Sequence, residues 1–304
     1  PEEGARMLAL RSGEAHMVLK PSPADLPALE ADPGFGVASA TGLRVFLVGF
    51  NLAKPPMEDV RIRQAIHHAL DIPLLVESIL EDAATVASGV VSPGVFGYID
   101  MELLDRYPYN PEGAIALLEE AGYSMNADGI MEKDGEPLVL NMLPASGRYL
   151  KDREIAEVIQ EFLRQVGIQL DLDIFEWATT FTELRKEQFD YHLFSIGWLT
   201  TTTDADYTLY SNYRSDQFPT AGWNTWRYAD DAIDGLLTAA RASVDAAERA
   251  QLYAEVQTIL AEQVPNIPVY NTIEVVALSG DVQGFNSHPI EYILDLFPVS
   301  LEGQ

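Results

Sequence analysis

An α/β fold of two lobes is what this chain predicts, and three observations predict it. Its 304 residues exceed what one hydrophobic core usually serves. Strand-like and helix-like apolar periods alternate through its middle, the pattern of a mainly parallel sheet. Hydrophobic residues make up 47% of the chain with no low-complexity tract among them, so a folded globular protein is expected.

Residues 21–36 hold four Pro and two Gly and read as an irregular connection. Leu43 to Phe50 is apolar almost throughout, as in a strand buried on both faces. From Glu58 to Leu70, the positions Ile62, Ala65, Ile66, Ala69 and Leu70 recur at helical steps. Asp71 and Pro73 then supply the cap and early-turn residue of a helix running to Leu80. Asn110, Pro111 and Glu112 open another that stops at Gly122.

The alternation that follows is strand 138–143, helix 152–166, strand 168–175, helix 180–187 and strand 190–197. Ile155, Val158, Ile159, Phe162, Leu163 and Val166 form one apolar stripe on the first of these helices. A helix over Asp230–Ala242 precedes a long one whose Asp245 and Glu248 have capping-box spacing. Pro265 and Pro268 interrupt it, and Val269 to Leu278 reads as a final β-branched strand.

Composition excludes several partners. A formal charge of −28, from 47 acids against 19 bases, repels phosphate backbones and anionic lipid, so nucleic acid is not expected. Cys is absent, which removes disulfides, thiolate metal sites and Cys nucleophiles. His67 and His68 are neighbours on a helix and point roughly 100° apart, which cannot chelate one ion. No metal or cofactor is expected. No apolar run approaches the ~20 residues of a membrane span. The first residues lack an initiating Met and a secretory-signal pattern, so the chain reads as cut from something longer.

Four stretches together resemble the extracellular solute-binding proteins for oligopeptides, dipeptides and nickel complexes, the binding components of ATP-driven importers. They are Asn51 with Asp59-Val-Arg-Ile-Arg-Gln-Ala-Ile-His-His-Ala-Leu-Asp71; Tyr109-Asn-Pro-Glu-Gly-Ala114 with Leu117-Leu-Glu-Glu-Ala-Gly122; Gly197-Trp198 followed by Asp204, Asp206 and Tyr207; and Asp245 to Arg249 through Ile267-Pro-Val-Tyr270. The resemblance implies a periplasmic-binding-protein-like body whose lobes close over a solute. The second lobe would be a mixed sheet flanked by helices over 43–266. The first lobe, partly present, would hold 1–42 and 267–304, with its N-terminal portion missing. It also implies a monomer outside the cytoplasm, in the periplasm or anchored to the cell surface as a lipoprotein. The partners would be a peptide or other small solute and the membrane subunits of an ABC permease. No chemistry is implied, so the expectation is a binding protein and not an enzyme.

Candidate ligand residues follow. Trp198 ends a strand where open α/β sheets hold ligands, and the resemblance implies that it lines the cleft. Relatives carry an Asp three places beyond this Trp that holds a peptide's α-amino group, and here that place is Thr201. Thr200, Thr201 and Thr202 offer hydroxyls to an amide, sugar or carboxylate instead. Trp223, Asn224 and Thr225 suit a cleft wall, whereas Trp226 and Tyr228 read as packing. Asp204 and Asp206 read first as caps. Arg148, after the loop from Pro144 to Gly147, could meet an anion together with helix N-terminal amides. The alternative class is a hydrolase working through two cleft carboxylates beside Trp198. Against it, no nucleophile elbow, zinc-binding His-Glu-x-x-His helix or phosphate-cradling loop is present.

Overall fold

The structure is a computed structural model that describes residues 3–80, 83–291 and 293–302. Among these residues the frame is a seven-stranded mixed sheet. Its strands are β1 (Met17–Leu19), β2 (Phe35–Phe50), β3 (Ala84–Val86), β4 (Val139–Leu143), β5 (Gln169–Leu172), β6 (Leu193–Leu199) and β7 (Asn266–Ser279). They lie in the order β1, β7, β2, β6, β4, β5, and β3 shares the outer edge of β7 with β1. The expected parallel set is present as β6, β4 and β5. β2 is antiparallel to both β6 and β7.

Side chains alternate across a strand, so β2 feeds two cores at once. Leu43, Val45 and Leu47 join one and Phe46, Val48 and Phe50 the other. Helices Val60–Ala69, Pro111–Glu120 and Asp152–Gln165 cover the Phe46 side; Ala205–Tyr213, Asp231–Ala242 and Ala246–Gln263 cover the Leu47 side. Each fully buried Leu or Phe contributes roughly 1.5–3 kcal/mol. The caps read from sequence act as such, because Asp71, Asn110 and Asp245 each accept a first-turn N–H, and the structure adds Asp59 and Asp230 as caps of the same kind. At Asp245 the box closes indirectly: Ser243 Oγ donates to Glu248 and accepts from Asp245 N.

Several boundaries differ from expectation: β5 spans Gln169–Leu172 where 168–175 is expected, β6 spans Leu193–Leu199 where 190–197 is, and three others have a clear physical reason. β2 begins at Phe35, not Leu43, because Gly36, Ala38, Ser39 and Ala40, all weak strand formers, are paired position by position with β7. β7 begins at Asn266 and runs through Pro268, where a ladder shift between Pro268 and Tyr270 accommodates the missing N–H. The helix expected over 180–187 spans Trp177–Leu184, capped at Glu176, because Trp177 and Leu184 pack into the Leu47-side core.

β2 and β7 cross positions 42 and 267 without a break. Beyond that crossing, Met7, Leu10, Val18, Leu29 and Ala277 form a small cluster, and Val276, Leu278 and Phe285 another. Among the described residues no helix is long and apolar enough to cross a membrane.

His67 is buried against Tyr107, ring centroids 4.5 Å apart, and desolvation pushes its pKa down to about 3. The folded value lies below the ordinary one of about 6.5, so the unfolded chain binds the extra proton between the two. The stability His67 confers is therefore present above pH ~6.5 and lost as pH falls toward its folded value. Urea unfolding followed from pH 7 to 4.5 should show His67→Phe losing up to about 1.4 kcal/mol less per pH unit than the parent. Equal slopes would show that His67 titrates normally.

Candidate functional site

β4, β5 and β6 are parallel, so the loops leaving their C-terminal ends, 144–151, 173–176 and 200–204, gather at one end of the sheet. Such strand tips are where open α/β sheets hold ligands. The first loop is held by Asp152, a buried carboxylate that accepts from the N–H groups of Gly147, Arg148 and Tyr149 at 3.1, 2.9 and 2.9 Å. These amides belong to the loop before helix Asp152–Gln165, and the chain's own carboxylate takes them. What Arg148 offers is its guanidinium, 5.3 Å over the Tyr149 ring.

Tyr149 Oη donates to Gly197 O, and Arg44 Nη1 donates to the same carbonyl, both at 3.2 Å. Glycine is required here because a Cβ at 197 would stand 2.6 Å from Tyr149 Cε1. Arg44 Nη2 pairs with Glu291 Oε1 at 2.6 Å in a buried contact, and Lys20 Nζ lies 3.4 Å from Glu291 Oε2. Nearby, burial raises the Glu274 carboxyl, with Glu291 adding to the effect. Lys20, Arg44, Arg148, Tyr149, Glu274 and Glu291 border a cavity of about 280 Å³ between the loop and the crossing strands.

Trp198 lies on the other side of the sheet. Gly197 faces Tyr149 and Arg44, and the pleat turns Trp198 toward Leu209 and Tyr213. Tyr207 stacks on it at 5.3 Å, Trp223 meets it edge-on at 5.8 Å, and its indole N–H is buried with no acceptor among the described residues. A row of rings connects the two sides around the strand tips. Trp223 meets Phe181 at 5.8 Å, Phe181 meets Trp177 at 5.6 Å, and Trp177 meets Tyr149 at 5.5 Å. Arg185 lies 4.3 Å over the Trp223 ring.

The remaining candidates divide by exposure. Thr201 and Thr202 are exposed, whereas Thr200 is buried with its hydroxyl 2.7 Å from that of Thr208. Asn224 is buried, donates to Arg214 O and Tyr228 O, and accepts from Tyr228 N, so its amide shapes the turn. The buried Thr225 hydroxyl donates to Trp223 O. Asp204 caps helix Ala205–Tyr213 and pairs with Arg249, and Asp206 takes Arg241. Trp226 stacks between Phe194 and Tyr213, and Tyr228 donates to Asp230. His68 Nδ1 faces Pro108 O, and no metal-binding group of three His, Asp or Glu occurs among the described residues.

Sequence reasoning passed over Arg44, Tyr149, Glu274 and Glu291. Arg44 carried a usable signal, a lone charge inside an apolar strand, which must find a partner when buried. Glu291 gave none, because only the fold brings it to Arg44.

The model of the family described as bacterial extracellular solute-binding proteins, family 5 Middle, matches residues 1–220. The chain belongs to this family. Among curated relatives, Heme-binding protein A of Haemophilus influenzae is 29% identical over all of this chain and 53% of its own length. The dipeptide-binding protein of Escherichia coli is 28% identical over 95% of this chain and 52% of its own. HbpA2 from Haemophilus parasuis superposes with a TM-score of 0.87 at 28% identity, covering 99% of this chain and 57% of that one. The oligopeptide-binding protein AppA from Bacillus subtilis, solved with a nonapeptide, gives 0.81 at 25% identity over 99% and 59%. This family 5 chain thus spans about half the length of the curated relatives it matches. Family 5 and these relatives are binding proteins and not enzymes, and nothing supports the hydrolase alternative.

Asp152→Ala should leave three loop N–H groups without their acceptor. A loss of roughly 1–3 kcal/mol in urea unfolding is expected. An unchanged midpoint would show that other contacts hold the loop.

Proposed function

We propose that the full-length protein captures a small solute, peptide or peptide-like, between two lobes and delivers it to an ABC import permease from outside the cytoplasm. Residues 43–266 form one lobe, and 1–42 with 267–304 belong to the other; β2 and β7 are the strands that pass between them. The observation that carries this reading is the cavity at the crossing. It is bordered by Arg44 and Arg148 on one side and by Lys20, Glu274 and Glu291 on the other, in a chain of a solute-binding family. Arg148 takes a solute carboxylate. Trp223 and the rings beside it shield the apolar part, with Trp198 behind Trp223 and the Thr201 and Thr202 hydroxyls at the margin.

The absence of an acid at Thr201 bears on selectivity. A charge-assisted bond to an α-amino group is worth about 1.5–3 kcal/mol, and that bond has no carboxylate here. Short peptides with free and acetylated N-termini should therefore bind the full-length protein within about threefold of one another by calorimetry. A hundredfold preference for the free amine would refute this assignment.

Arg148→Ala should weaken a carboxylate-bearing solute roughly tenfold to hundredfold. Mass spectrometry of material released from the purified full-length protein supplies the solute for this titration. Unaltered affinity removes Arg148 from the site, and turnover of that solute would overturn the binding reading itself.

A further inference from the structure

A second, smaller cavity lies in the core, away from the cleft, where helices Val60–Ala69 and Ala246–Gln263 meet the first residues of β7. It leaves about 20 Å³ for the centre of a water-sized sphere, against the ~10–15 Å³ that one water needs. Its lining includes the polar side chains His67, Gln257 and Asn266, each at least nine-tenths buried. Each carries one buried polar atom with no partner among the described residues, His67 Nδ1, Gln257 Oε1 and Asn266 Oδ1. All three residues line this one cavity, and each orphaned atom left alone costs roughly 1–3 kcal/mol.

We propose that this cavity is a binding site for a single structural water that joins His67, Gln257 and Asn266. Its hydrogen-bond balance closes. The Gln257 amide is fixed in orientation, since Nε2 donates to Gly97 O at 2.8 Å and to Tyr253 O at 3.0 Å, leaving Oε1 as an acceptor. Asn266 Nδ2 donates to Tyr213 Oη at 2.7 Å, which leaves Oδ1 as an acceptor too. A water gives its two hydrogens to these two oxygens and accepts from His67. The neutral imidazole must then carry its proton on Nδ1. A monovalent cation fits less well, because no acid among the described residues lines the cavity and an uncompensated buried charge is costly. The water fastens the root of β7, the strand that carries Glu274 to the cleft, onto two helices.

The test needs no variant. A crystal structure of the full-length protein at about 1.5 Å should show a fully occupied water ~2.7–3.2 Å from His67 Nδ1, Gln257 Oε1 and Asn266 Oδ1. Nitrogen-15 spectra of labelled histidine should show His67 as the Nδ1–H tautomer. Empty density, an anomalous peak there after rubidium exchange, or an Nε2–H tautomer would each overturn the assignment.

Discussion

The antiparallel ladder between β2 and β7 is the constraint on which the rest depends. At one end both strands are sealed between two helical layers; at the other they carry the small clusters around Ala277 and Leu278. The pairing is interrupted between Asn271 and Ile273, beside Arg44. There the strands stop satisfying each other, and side chains take over. Asn271 Nδ2 donates to Arg44 O at 3.3 Å and to Ser92 Oγ at 2.9 Å, and Ser92 Oγ donates to Gly42 O at 2.8 Å. A buried carbonyl left without a donor would cost roughly 1–3 kcal/mol, so this patch lets the strands change course inside the protein. The root of β7 is secured similarly: the buried Arg63 guanidinium donates to Gln263 O, Val264 O and Met57 O, ending the long helix where the strand begins.

The interruption also places charge. Arg44 projects from the sheet to Gly197 O and Glu291, and both side chains of that ion pair are less than a tenth exposed. A buried ion pair adds little net stability, because desolvating the two groups offsets their attraction, but losing one partner strands the other. Its consequence here is positional. Arg44 fixes the tail residue Glu291 against the loop that presents Arg148 and Tyr149, so the cavity walls come from segments far apart in sequence.

The frame was legible because it is written in local patterns. The caps at Asp71, Asn110 and Asp245 and the parallel set β4, β5 and β6 follow from capping chemistry and apolar period. The upstream half of β2 was not legible, since Gly36 to Ala40 form a strand only because β7 lies beside them. The site was less readable for the same reason. Trp198 and Thr200 could be found at a strand tip, yet which face each side chain takes depends on register with β2. Asn224 and Thr225 looked like cleft polar groups, but their hydrogen bonds close on Trp223, Tyr228 and the earlier Arg214 carbonyl. The Asp152 carboxylate gave no sign in the sequence that it would bind back to the amides of the loop before its own helix.

Register has a further consequence for recognition. On the proposed reading, because Gly197 and Trp198 face opposite sides, a solute held by Arg148 reaches the Trp198 side around the strand tips, along Tyr149, Trp177, Phe181 and Trp223. Acids that might have replaced a carboxylate at Thr201 are already committed, Asp204 to Arg249 and Asp206 to Arg241. Those that border the cavity among the described residues are Glu291, paired with Arg44 and Lys20, and Glu274, whose carboxyl burial raises above its ordinary value and which accepts from Thr272 Oγ1. On the proposed reading, an incoming ammonium group therefore finds Glu291 already paired, despite the chain's net −28. Discrimination then rests on a carboxylate at Arg148, on ring contact along the aromatic row, and on hydrogen bonds made as the lobes close.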